Sequence, residues 1–353
     1  MKQFFCSKDI SSETKREALR KEIRWAIGLI EGDGHLGLEC RNPSKAQWGA
    51  LLKVTLHESN ARSLYRLKNI LGVGKLSYDK KRCTITLRVR RLDHWQNCLI
   101  PLFELGDFKT DKYYTYQLIR QMLPRLTPTC YPDNKNSYVK QRLLDLRQFR
   151  GQLSPVWSRQ LTFLPNAPYG AKQLCLGFIG AQPVYFHLWR QNKLVALGNT
   201  SLAQLTYAQA LKTAFEWVDR QSLMSIIDPD WLAGFLEAEG SFYILQNNQH
   251  GFAVGQAYNR QLIAGLGRLF LVPTKLKYRQ TPSEFFSLDT KNTQCLFQIA
   301  DYIKGHMRGI KSFVFSVWLR TLRKKKTSGY TDKQSFLKAK RVLLALRQRT
   351  LNQ

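Results

Sequence analysis

The chain predicts an α+β fold built from two copies of one unit, and three pairs of sequence blocks carry that expectation. The first is Trp25-Ala26-Ile27-Gly28-Leu29-Ile30-Glu31-Gly32-Asp33-Gly34, matched by Trp231-Leu232-Ala233-Gly234-Phe235-Leu236-Glu237-Ala238-Glu239-Gly240. The second sets Leu71–Tyr78 beside Leu271–Tyr278, and the third sets Lys112–Ile119 beside Lys311–Trp318. Three blocks in one order, repeated at an offset of about 200 residues, mark a duplicated unit.

Each element follows from local pattern. Residues 22–33 and 228–239 read as helices; Asp228 is a suitable N-cap and Pro229 suits a first turn. Gly34 and Gly240 follow the last turn and are expected as left-handed caps. Strands are predicted at 35–40, 50–57, 74–79 and 83–91, with counterparts at 241–246, 252–257, 274–280 and 284–289. In 83–91 the alternation turns Ile85, Leu87 and Val89 to the core and Thr84, Thr86, Arg88 and Arg90 to the other face. Helices are predicted at 59–71, 93–104 and 110–123, and again at 259–270, 291–304 and 309–324. The first unit thus spans 20–125 and the second 228–325. Between them, 126–227 is a connecting segment or an inserted subdomain. It holds apolar stretches at 174–180 and 184–189 and helical periodicity over 201–221. The stretch 320–348 is basic and helical in pattern, with 326–353 a terminal basic helix.

Composition narrows the function. With 44% apolar and 12% aromatic residues over 353 positions, the chain suits a globular protein rather than a disordered one. No apolar run approaches the roughly 20 residues that span a bilayer. Lys and Arg number 55 against 25 Asp and Glu, a net charge of +30. So large an excess repels itself unless a polyanion takes it up, which points to nucleic acid. An acidic membrane surface is the rival, but the cations are spread along the chain rather than gathered on one amphipathic helix. The seven cysteines form no C-x-x-C pair, so neither a disulfide framework nor a structural zinc site is indicated. Buried free thiols are expected. Residues 1–6 lack an apolar signal region, and residues 7–22 mix acids with bases, unlike a transit peptide.

The repeated helix has a physical reading. Gly28 and Gly32 share a face, as do Gly234 and Ala238. Small residues at that spacing let two helix backbones approach closely. Packed together, the two helices would project Asp33 and Glu239 from adjacent C-termini. Two carboxylates repel there, and the helix ends add partial negative charge. A hard divalent ion resolves the conflict, and oxygen ligands with water and phosphate suit Mg²⁺ best. The plainer alternative is a pair of amphipathic helices with solvated acidic ends.

Both segments resemble the LAGLIDADG motif of homing endonucleases and related intron maturases: Ala26–Gly34 reads AIGLIEGDG and Leu232–Gly240 reads LAGFLEAEG. The resemblance implies two pseudo-symmetric αββαββα units in one monomer. It also implies a saddle of antiparallel sheets on double-stranded DNA, and Mg²⁺-dependent cleavage of both strands across the minor groove. By position, Asp33 and Glu239 match the family's metal-binding acids, with Gly32 and Ala238 beside them in the metal site. Glu31 and Glu237 match a less critical acid that shapes the helix interface. Lys112 and Lys311, with Lys109 as a close alternative, match a basic residue near the start of each last helix. Gln256 and Arg260 fall where the family has a water-orienting polar residue and a basic pocket residue. The first unit has Leu56 and Asn60 there, so unequal cutting of the two strands is expected. DNA would be read by Lys75, Thr84, Thr86, Arg88 and Arg90 in one unit and by Lys275, Lys277 and Arg279 in the other. Arg320, Arg323, Lys324, Lys325 and Lys326 would clamp phosphates. The implied function is a site-specific endonuclease encoded in an intron of a chloroplast or mitochondrial genome. The alternative is an RNA-binding maturase assisting group I intron splicing, and a DNA-binding regulator is a third class. Retention of both acids favours the nuclease.

Overall fold

The computed structural model describes residues 13–42, 47–126, 135–162, 164–165, 174–179, 182–186, 218–280, 283–328 and 333–348. Helix α1 (Glu13–Asp33) drives its apolar second half through the centre of the molecule, where Ile23, Trp25, Ala26, Ile27, Leu29 and Ile30 are fully buried. It begins before the predicted residue 22. Its exposed early turns are laced by pairs of Glu13 with Arg16 and Arg20 and of Glu17 with Arg20 and Arg24.

The chain leaves α1 directly into β1 (Gly34–Asn42) and β2 (Gln47–His57). It continues through α2 (Ala61–Leu71), β3 (Lys75–Asp79) and β4 (Thr84–Val89). The strands form one antiparallel sheet in the order β1-β2-β4-β3. A helical stretch over 92–104 follows, made of α3 (Leu92–His94), a π-helical middle at Trp95–Leu99 and α4 (Ile100–Glu104). Helix α5 (Lys112–Met122) ends the first unit.

The intervening segment carries α6 (Lys135–Asp145), α7 (Val156–Gln160), a hairpin of β5 (Leu174–Ile179) and β6 (Gln182–Phe186), and α8 (Arg220–Ile226). Of the helical pattern at 201–221, only residues from 218 onward lie among those described, and Asp219 there caps α8. The stretch 149–162 is wedged between the units. Phe149 stacks on Tyr114 at 4.4 Å, Trp157 donates its indole N–H to the Lys109 carbonyl, and the Arg150 guanidinium lies 4.0 Å over the Tyr258 ring.

The second unit repeats the first: α9 (Pro229–Glu239), β7 (Gly240–Ile244), β8 (His250–Ala257), α10 (Arg260–Leu269), β9 (Lys277–Arg279), β10 (Phe285–Thr290), α11 (Thr293–Ile303) and α12 (Lys311–Ser328). Its sheet order is β7-β8-β10-β9, again antiparallel. Asp228 caps α9 by accepting from the Trp231 amide at 2.9 Å, with Pro229 in the first turn as expected. Strand β9 is shorter than the predicted 274–280. The Thr274 hydroxyl, not a backbone amide, donates to the Asp289 carbonyl, so a side chain takes the ladder position there. The terminal helix α13 (Lys333–Gln348) packs Phe336 against His250, and Lys340 donates to the Gln246 carbonyl.

Two expectations are corrected. Gly34 and Gly240 are not left-handed caps: Gly240 is extended and Gly34 is not among the positive-φ residues. Each is needed for space, because a Cβ would fall 2.5 Å from the Ile30 carbonyl oxygen or 2.8 Å from that of Leu236. Among the described cysteines Cys295 is buried, whereas Cys40, Cys83 and Cys98 are partly exposed; all four are free thiols. Among the described residues, no helix is long and apolar enough to cross a membrane.

Candidate active site

Helices α1 and α9 run side by side in the same direction, in contact backbone to backbone. A Cβ on Gly28 would lie 2.0 Å from the Trp231 carbonyl oxygen, and one on Gly234 would lie 1.9 Å from that of Trp25. A Cβ on Gly32 would meet Ala238 Cβ at 2.2 Å and Glu239 Cγ at 3.3 Å. Only small residues permit this approach, as the spacing predicted. At the other end of the contact an ion cluster ties the units together. Glu22 pairs with Arg66 at 2.6 Å and with Arg308, which pairs with the buried Asp230 at 2.7 Å.

The parallel packing brings the two C-termini, and therefore Asp33 and Glu239, together. Burial raises the Asp33 carboxyl, against the opposing charges of Lys311 and Lys112. Glu239 is pushed up to about 7, first by burial and then by the charge of Asp33, with Lys112 and Lys311 opposing. Each acid therefore senses the lysines of both units.

Those lysines occupy equivalent positions. Lys112 Nζ donates to the carbonyls of Ile30, Glu31 and Gly32 at 2.9, 2.7 and 3.1 Å. Lys311 Nζ donates to those of Leu236, Ala238 and Gly240 at 3.1, 2.9 and 2.7 Å. Helix C-termini leave carbonyls without intrahelical partners, and a cation there also opposes the helix dipole. Each lysine thus closes the end of its own unit's motif helix. Burial lowers the Lys112 ammonium, and the charges of Glu31, Asp111, Glu239 and Asp33 resist that shift. The carbonyls of Gly32 and Ala238, expected beside the metal, already accept from these lysines.

Lys109 is elsewhere. Its ammonium lies 3.7 Å from Asp107 and senses Asp228 and Arg24, near the start of α9, rather than Asp33 and Glu239. The reason is local. Lys109 lies in the turn before α5, where its amide is held by the Glu31 carboxylate at 2.8 Å, and its side chain leaves that turn away from the acid pair.

Glu31 is fully buried and joins the units. It accepts from the Lys109 and Thr110 amides, the Thr110 hydroxyl and the indole N–H of Trp231, the last at 2.6 Å. Glu237 accepts from the amides of Gly309 and Lys311. Burial raises both carboxyls, and these hydrogen bonds offset part of the rise.

Gln256 also crosses the boundary, donating to the Glu31 carbonyl at 2.8 Å and accepting from Asn259 at 3.0 Å. Arg260 opens α10 with its guanidinium 5.7 Å over the Phe286 ring. In the first unit Leu56 is buried in the core and Asn60 precedes α2 without a side-chain cap bond. No amide like that of Gln256 is placed at position 56.

The sheet faces differ in charge. In the first unit the register sets His35, Lys53, Arg88 and Lys75 in one row across all four strands. Arg88 and Lys75 are exposed, and Ile85, Leu87 and Val89 line the core as predicted. Lys53 was missed, although the alternation of Leu52, Val54 and Leu56 around it would have placed it. Thr86 is corrected: it is 7% exposed and its hydroxyl meets that of Thr55 at 2.9 Å. Thr84 is half-buried, and Arg90 is exposed but pairs with Glu39 at 2.7 Å. In the second unit Lys275, Lys277 and Arg279 are exposed. Lys277 pairs with Asp289 at 3.1 Å and Arg279 lies over Phe285. In register, Lys277 aligns with Ser287 and Gly255, and Arg279 with Phe285 and Ala257. Arg320, Arg323 and Lys324 are exposed on α12; the side chains of Lys325 and Lys326 lie outside the described set.

Residues 26–123 match the family model described as LAGLIDADG endonuclease. The chain resembles that family over its first unit, from the middle of α1 to the end of α5. It is 24% identical over 311 residues to the "Probable intron-encoded endonuclease Cox1-I1b" of Schizosaccharomyces pombe, covering 85% of this chain and 64% of that protein. It is 38% identical over 48 residues to the "Probable intron-encoded endonuclease aI3" of Dictyostelium citrinum, covering 14% of this chain and 20% of that one. The chain therefore spans less than two thirds of the length of the curated relatives it matches. Solved LAGLIDADG structures share the fold over nearly the whole chain. I-GzeII in complex with its DNA target has TM-score 0.56, 15% identity and coverage of 92% of this chain and 97% of that one. I-SmaMI bound to uncleaved DNA with calcium ions has TM-score 0.57, 16% identity and coverage of 91% and 97%.

A cation fits the acid pair. The charge of Asp33 raises the Glu239 carboxyl, so an added positive charge stabilises the pair, and its oxygens suit a hard divalent ion. Among the described residues no cluster of three or more His, Cys, Asp or Glu side chains is set up to hold a metal, so protein ligation there rests on the pair.

Proposed function

We propose that the chain is an intron-encoded, site-specific endonuclease that hydrolyses both strands of double-stranded DNA with Mg²⁺, acting as a monomer in the organelle whose genome encodes it. The observation that carries this reading is the convergence of Asp33 and Glu239, one from each unit, at the joined C-termini of α1 and α9. Two sheets flank that point, one bearing an exposed basic row.

Asp33 and Glu239 would hold the divalent ion, which supplies an activated water and stabilises charge developing on the phosphate. Lys112 and Lys311 lock the helix ends that carry the acids and place two positive charges beside them. Gln256 fixes the Glu31 carbonyl from the opposite unit, so the two halves keep one geometry. Lys53, Arg88 and Lys75 supply phosphate and base contacts along the first half-site. Lys275, Lys277 and Arg279 do so along the second. The Gln256 and Leu56 difference makes the strands inequivalent. The maturase alternative gains no specific support from this arrangement, whose acid pair it does not need.

The test joins the exons flanking the reading frame into one duplex and incubates it with protein and Mg²⁺. Both strands should be cut at one position. Asp33→Asn or Glu239→Gln should abolish cutting and leave target binding within about threefold, because binding rests chiefly on phosphate and base contacts. Unchanged cutting by the double variant contradicts the proposal.

A further inference from the structure

A closed ring of polar interactions passes beside the acid pair and crosses the boundary between units. It begins at the Glu31 carbonyl, which accepts from both Lys112 Nζ at 2.7 Å and Gln256 Nε2 at 2.8 Å. The Gln256 side-chain oxygen accepts from Asn259 Nδ2 at 3.0 Å. The Asn259 side chain also stabilises the ionised carboxylate of Asp111, the residue before Lys112. Asn259 is 4% exposed and Gln256 7%, so the chain of bonds is shielded from water.

The wedge between the units completes it. Asp111 accepts from the Gly151 amide at 2.8 Å. Gly151 has φ +73, and a Cβ there would fall 2.5 Å from the Tyr258 carbonyl oxygen, so the backbone is pressed into the second unit. Burial raises the Asp111 carboxyl, and the Gly151 bond and the Asn259 side chain oppose that rise.

The duplication exposes what is unusual here. Lys311 corresponds to Lys112, so Ile310 stands where Asp111 does and has no carboxylate to offer. The ring therefore exists on the first unit's lysine only.

From this geometry we infer that Asp111 and Asn259 are positioning residues: they pin the start of α5 against β8 of the other unit and hold Lys112 on the end of α1, a control the second unit lacks. The inference deepens the nuclease reading and rests on it for its effect on cleavage. Its consequence is that the ring governs the strand served by Lys112 more than the other.

The test has two readouts. The first is chemical footprinting of the intact protein with an amine-acetylating reagent, read by peptide mass spectrometry. It needs no nuclease activity. Lys112 should be protected, and Asn259→Ala and Asp111→Asn should each speed its modification about fivefold or more, with Lys311 unchanged. The second is single-turnover cleavage of a duplex labelled on each strand, at saturating enzyme. One strand should slow about tenfold and the other less than threefold, with target affinity unchanged and nicked duplex accumulating. The double variant should be no slower than the slower single, because the two residues belong to one ring. Unchanged Lys112 labelling, equal slowing of both strands or additive losses would overturn the inference. If the wild-type protein cuts no exon-junction duplex while labelling follows the prediction, the nuclease reading fails and the ring's hold on Lys112 stands.

Discussion

Replacing Glu239 by Gln should stabilise the metal-free protein while ending its activity. The carboxyl is pushed from 4.5 to about 7 by burial and by Asp33. At about 1.4 kcal/mol per pH unit, ionising it in the folded state costs roughly 3 kcal/mol. Partial exposure of the side chain reduces that to about 2 kcal/mol. The sign follows from proton binding. Between pH 4.5 and about 7 the folded protein binds the proton that the unfolded chain has released, so stability falls as pH rises. The cost is absent below 4.5 and complete above about 7. Unfolding entropy near 2 cal/mol/K per residue over 353 residues makes 2 kcal/mol worth about 3 °C in Tm. Thermal unfolding in EDTA, scanned from about pH 4.5 to 8.5, should show Glu239→Gln gaining on the wild type as pH rises. Adding Mg²⁺ should close the gap by stabilising only the wild type. A gap independent of pH, or a wild type more stable than the variant at about pH 8 in EDTA, would refute the reasoning.

Other outcomes follow from the same geometry. Gly28→Ala should lose about 3 kcal/mol or more in urea unfolding, since its Cβ would lie 2.0 Å from a carbonyl oxygen. Gly267→Ala, where a Cβ would meet Leu288 at an ordinary 3.5 Å, should instead gain about 0.5–1 kcal/mol. Lys311→Met removes three bonds to carbonyls and should cost about 2–3 kcal/mol by the same measurement. Arg88→Ala should relax preference at one base pair by about 1–3 kcal/mol, and a uniform loss across targets would make it a phosphate contact. Lys53→Ala should lower the salt dependence of binding by about one counterion, as measured by titrating target affinity against salt.

The helix-strand order was legible because each element has a strong period of its own and appears twice. The close approach of α1 and α9 was legible for a simple reason: small residues four apart have few other uses in a core helix. The acids followed from that contact. The lysines were legible as positions, but not as helix-end locks, since nothing in Lys112 or Lys311 announces which carbonyls they meet. Thr86 misled because alternation gives the face of a strand and not what covers it, and Thr55 covers it. Lys109 misled because closeness in sequence to Lys112 does not carry through the turn before α5. The ring through Gln256, Asn259, Asp111 and Gly151 joins segments distant in the chain, from the first unit, the wedge and the second unit. Its only local sign is a glycine at 151.

The most direct test of the shared site is a crystal structure of the protein on its joined-exon target with Ca²⁺ in place of Mg²⁺. Divalent-ion density should lie within about 2.3–2.6 Å of oxygens from both Asp33 and Glu239 and contact the phosphate to be cut. Ions bound elsewhere, or the two carboxylates turned away from the DNA backbone, would contradict the account.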